Sequence, residues 1–160
     1  MVQRRQFAPK QPGDCIRLML FLLVCVPFVG ALLVASLARR WHLQPAWMAG
    51  LTALSGLALL LFVGTGVYDG AVVIEHREWI PEIGLALSFR LDGLGLLFAQ
   101  LILGIGLLVL FYARYYLSSA EGGPRLYVLL LLFMGAMLGL VLAENLLLML
   151  VFWELTSLVS

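Results

Sequence analysis

Glu154 is the residue best placed to do chemistry. It lies in Leu147-Leu148-Met149-Leu150-Val151-Phe152-Trp153-Glu154-Leu155-Thr156-Ser157, which otherwise reads as membrane-spanning helix. The segment opens at Asn145, nine residues earlier. At the helical rise that is roughly 14 Å, about halfway through a hydrocarbon core of ~30 Å. A carboxylate at that depth costs at least ~2.5 kcal/mol. Such residues mark proton or ion pathways and take a basic partner. The bland alternative is a protonated Glu hydrogen-bonded to a neighbouring helix. Glu144, at the start of the same segment, belongs to the hydrated interface.

Other chemistry finds no seat. Of 160 residues, 63% are hydrophobic and 12% charged. Soluble domains average about 45–50% and about 25%, so this is an integral membrane protein. The net charge of +1 gives nucleic acid nothing to bind. Cys15 and Cys25 are ten positions apart. On one helix that is ~15 Å, too far for a disulfide. His42 and His76 are isolated loop residues, no metal-ligand spacing occurs, and no phosphate-binding Gly loop is present. Neither a metal nor a cofactor is expected.

The elements that must position Glu154 read as an all-α membrane bundle. Residues 1–15 form a polar, basic tail, with Arg4, Arg5 and Lys10. The membrane domain covers 16–160, with spans at about 16–38, 46–67, 93–112, 126–142 and 146–160. The first apolar run is too long for a signal-peptide core, and Arg39-Arg40 follow it where a cleavage site would stand. Arg39-Arg40-Trp41-His42 reads as a short basic loop. Trp47, Tyr68 and the Tyr112-Ala113-Arg114-Tyr115-Tyr116 belt mark interfaces. Asp69 to Asp92 is the longest polar stretch. Within it Leu85 to Asp92 alternates with period two, which predicts a half-buried strand. Val72-Val73-Ile74-Glu75 is a candidate partner, and Pro81-Glu82-Ile83-Gly84 turns the chain between them. Gly135, Gly139 and Ala143 recur every four residues, a stripe that lets another helix approach closely. The fifth span is incomplete at Ser160, so the natural chain is expected to continue.

Counting Lys and Arg in the loops puts the first and third loops in the cytoplasm and the acidic second loop outside. The basic tail argues for the reverse.

Two stretches resemble a known family. Asp92-Gly93-Leu94-Gly95-Leu96-Leu97-Phe98-Ala99 follows Glu78-Trp79-Ile80-Pro81. Phe133-Met134-Gly135-Ala136-Met137-Leu138-Gly139 precedes Phe152-Trp153-Glu154-Leu155-Thr156-Ser157. This is similar to the N-terminal part of the A-subunit of Mrp-type multisubunit sodium/proton antiporters, and more distantly to chain 5 of complex I and hydrogenase subunits. The resemblance runs from about Glu78 to Ser160, and more loosely through both upstream spans. Leu155-Thr156-Ser157 favours the antiporter branch. It implies an external surface hairpin between the second and third spans. It also implies that Glu154 pairs with a Lys on a later helix, in the remainder of the chain beyond Ser160, and that the pair gates proton movement.

Physically, moving a Lys to or from a buried Glu switches its proton affinity. Ser157, one turn away, has the reach to hold a water. Thr156 and Ser160 share a face with Asn145 and are expected to bond helix to helix.

Three readings follow. The first is a proton-translocating subunit of an inner-membrane antiporter that exchanges Na+ or another monovalent cation for H+. It is a secondary transporter and not an enzyme, and its partners are other subunits and the bilayer. The second is a complex I or hydrogenase pumping subunit, part of an NADH:quinone oxidoreductase. The third is a non-transporting assembly fragment.

Overall fold

Among the described residues, apolar runs punctuated by caps give four helices of nineteen to twenty-eight residues and one of fourteen. The computed structural model describes residues 14–41, 44–68, 70–80, 85–116 and 123–160. Helix α1 spans Asp14–Trp41, α2 Pro45–Tyr68, α3 Gly93–Tyr116, α4 Pro124–Leu142 and α5 Leu146–Val159. Strands β1 (Val73–Ile80) and β2 (Leu85–Leu91) pair between α2 and α3. Four helices are long and apolar enough to cross a membrane; α5 is a shorter apolar helix.

Most boundaries are written locally. Helix α2 ends in a Schellman motif. Gly70 takes φ +82°, its N–H donates to the Val67 carbonyl, and the Ala71 N–H donates to Gly66. A left-handed residue there is cheap only for glycine. Asp92 caps α3: its Oδ1 accepts from the Gly95 N–H at 2.8 Å. Asn145 caps α5 in the same way, accepting from the Leu147 N–H at 3.0 Å. Pro124 opens α4, where its missing N–H is not needed. Asp92→Ala is expected to cost about 1 kcal/mol. Thermal unfolding in detergent measures it, and an unchanged midpoint would show that the cap is redundant.

Two helix boundaries and one position of the small-residue stripe differ from expectation. Helix α1 continues to Trp41, so Arg39 and Arg40 lie in its last turn and not in a loop. Helix α3 runs to Tyr116, one turn past Tyr112. Helix α4 stops at Leu142, so Ala143 is its C-cap and no longer part of a helical stripe. The tail and the Pro81–Gly84 turn lie outside the described residues.

Helix α4 is central and packs on each of the other four. The helices run up and down, which sorts their ends. At one end Arg114 lies 5.3 Å over the Trp47 ring, and Trp47 meets Phe111 edge-on. At the other, Gln100 donates to the Tyr68 hydroxyl at 2.8 Å, and the hairpin lies across the bundle. The strands are antiparallel, with Val73 opposite Leu91, Glu75 opposite Phe89 and His76 opposite Ser88. Val73, Glu75, Phe89 and Leu91 are buried beneath the hairpin, while Ile74, His76 and Arg90 are exposed. The period-two alternation thus sets a half-buried sheet on the helix ends.

Candidate functional site

Helix α5 turns a narrow apolar stripe to the bundle. Leu148 is buried, and Phe152, Leu155, Thr156 and Val159 are half-buried. These positions follow helical spacing, so Glu154 is carried to the opposite side. It is exposed, beside the exposed apolar Leu150, Val151, Trp153 and Leu158. In a bilayer that face meets lipid or protein, where an unpaired charge is costly. Ser157 is exposed one turn further on.

The structure separates residues that the sequence grouped. Thr156 Oγ1 donates to the Trp153 carbonyl of its own helix at 2.6 Å. It bonds within its helix, a common outlet for a helical threonine, and the expectation of a helix-to-helix bond is corrected. Glu144 sits ten residues from Glu154, about 15 Å along the axis, and joins the hairpin instead. Its Oε2 accepts from Ser88 Oγ at 2.5 Å.

The small-residue stripe is also resolved differently. A Cβ on Gly135 would meet the Phe28 ring of α1 at 2.8 Å. A Cβ on Gly139 would overlap the Phe152 ring of α5. Two aromatic side chains from two helices fill the stripe. Ala143, beyond the helix, forms a backbone bridge with Phe89. Phe89 and Phe152 lie 6.2 Å apart between ring centroids. Gly139, Phe152 and Phe89 therefore form one continuous contact from α4 through α5 to the hairpin.

Two polar residues escaped the sequence reading. Glu75 is only 3% exposed, and its Oε2 accepts from the Phe21 N–H of α1 at 3.0 Å. The signal was available: in Val73-Ile74-Glu75-His76, an inward Val73 requires an inward Glu75. Ser88 is buried although it occupies the outward register opposite His76, because the α4–α5 connection covers it.

Chemistry elsewhere is sparse. An apolar groove of about 310 Å³ between α3 and α4 is lined by residues such as Leu101, Ile105, Phe133 and Met137. Among the described residues, no group of three His, Cys, Asp or Glu could hold a metal.

Several known proteins resemble this chain. Residues 79–127 match the model of NADH-ubiquinone oxidoreductase (complex I) chain 5, N-terminus. The A-subunit of a Na(+)/H(+) antiporter of Alkalihalophilus pseudofirmus is 45% identical over 143 residues, 84% of this chain and 17% of the relative. The A/B-subunit of a probable K(+)/H(+) antiporter of Rhizobium meliloti is 42% identical over 147 residues, 89% of this chain and 14% of the relative. The chain is similar to antiporter A-subunits over most of its own length.

The fold agrees. The structure of the Mrp complex from Dietzia sp. DQ12-45-1b matches with a TM-score of 0.74 and 32% identity, covering 88% of this chain and 15% of that one. With four helices long and apolar enough to cross a membrane among its described residues, the chain is a multi-pass protein of the cell membrane. It spans 14–17% of the length of the two curated relatives above.

Proposed function

We propose that the chain is part of a proton-translocating subunit in a multisubunit monovalent cation/proton antiporter of the inner membrane. Glu154 is its proton relay. The observation that carries this is the place of Glu154: nine residues along the chain from the Asn145 cap, on an outward face of α5 whose other side chains are mostly apolar. An ionisable group there is kept for the proton it exchanges and meets its basic partner across a protein interface. Ser157, on the same side, helps hydrate the path. No cofactor is required; the transported species are H+ and a monovalent cation, with Na+ and K+ both represented among the relatives' names. Other antiporter subunits are the partners, as the matching Mrp structure is itself a complex. Cation-driven proton movement in everted vesicles, compared between wild type and Glu154→Gln, tests the reading. Wild-type flux in an assembled variant sinks it.

In the membrane, the hairpin end faces outward. Arg114 stands at the opposite end of the bundle, which suits the cytoplasmic side. His76, exposed on the hairpin, and Tyr116, exposed at the far end, can report the orientation. With Cys15 and Cys25 replaced, an impermeant maleimide added to intact cells should label His76→Cys and spare Tyr116→Cys. The reverse pattern inverts the orientation.

A further inference from the structure

Ser88 and Glu144 are 56 positions apart, yet they meet where the α4–α5 connection crosses β2. Ser88 Oγ donates to Glu144 Oε2 at 2.5 Å. The Glu144 N–H returns a bond to the Ser88 carbonyl at 2.9 Å. Ala143 bridges Phe89 beside them, and the Phe89 ring lies against Phe152, two residues before Glu154. Only Ala143, Glu144 and Asn145 separate the two helices, so this connection has little slack.

We infer that the Ser88–Glu144 clasp fixes the rotation of α5 and thereby the direction in which Glu154 faces. The inference rests on the relay reading of Glu154. Each residue of helix turns a side chain by about 100°. A connection freed from β2 lets α5 rotate, and Glu154 then trades its outward position for others. Its desolvation and its distance from a partner charge change together, and so does its proton affinity. Ser88 and Glu144 are positioning residues, acting through α5. The clasp needs an acceptor oxygen at position 144 and no negative charge, so glutamine should serve.

The test uses the full chain in its assembled complex, in everted vesicles. Glu144→Ala and Ser88→Ala should each lower transport on the order of tenfold, the scale of a lost hydrogen bond to a charged group. Each should also displace the pH midpoint of transport. The double variant should be no worse than either single one, and Glu144→Gln should behave as wild type. A second readout does not depend on Glu154: the maleimide reaction rate of Ser157→Cys, in a background lacking Cys15 and Cys25, should change severalfold when Glu144→Ala is added. An unchanged rate overturns the clasp. Reduced transport with an unmoved pH midpoint also overturns it, because a merely structural loss lowers the amount of working complex without retuning the relay. Glu144→Gln as impaired as Glu144→Ala overturns it as well. Wild-type flux in Glu154→Gln overturns the relay reading alone, and the reaction rate at position 157 still decides the clasp.

Discussion

Glu154→Gln is expected to abolish cation-driven proton movement while leaving assembly of the complex intact. Glutamine matches the size of a protonated glutamate and keeps its hydrogen bonding, but it has no proton to exchange. A positioned proton-transfer group is worth about 10²–10⁴ in rate, so flux should fall by at least about a hundredfold. Glu154→Asp changes only reach and should retain part of the activity. Glu144→Gln is the control, since its amide oxygen still accepts from Ser88 Oγ. A structural Glu154 gives the opposite result: Gln would be nearly silent, because a helix-to-helix hydrogen bond survives the change. Complex assembly measured in parallel separates a dead relay from a missing protein.

Gly139→Val carries the largest expected effect on stability. A Cβ at this position would overlap three carbons of the Phe152 ring. Those are ring atoms of a half-buried side chain, and the Phe89 ring, 1% exposed, stands 6.2 Å behind them between centroids. Phe152 has no easy retreat, so α5 must shift. Overpacking of this kind costs about 1–3 kcal/mol. The thermal midpoint of the complex should drop, and less α5 should be correctly seated. Adding Phe152→Ala empties the space and should recover part of the loss, a coupling expected of residues in contact. Gly104→Ala is the matched control, because nothing lies within 4 Å of a Cβ there. An unchanged midpoint in Gly139→Val would show that the contact is loose.

The small-residue stripe shows how far sequence spacing reaches. Its period put Gly135 and Gly139 on one face, and a Cβ on either would crowd an aromatic ring. It did not say what fills the space, because Phe28 and Phe152 come from different helices. The period also ran one residue too far. Whether Ala143 continues the helix is decided by β2, which takes the Ala143 backbone into a bridge. The cap at Asn145 and its hydrophobic run show the converse. The bond from the Leu147 N–H spans two residues, so the start of α5 was legible without any tertiary contact.

By itself the sequence determined that long apolar helices form, that a hairpin interrupts them, and that a carboxylate stands within the last apolar helix. Hydropathy, caps and period-two alternation act over a few neighbouring residues, so they can be read along the chain. Tertiary structure alone decided that Glu75 meets Phe21, 54 positions away, and that Ser88 meets Glu144, 56 positions away. It also decided that Glu154 turns away from α4. These follow from the way antiparallel helices bring distant ends together beneath the hairpin. Such contacts depend on the packing of all the elements at once, and no local pattern encodes them.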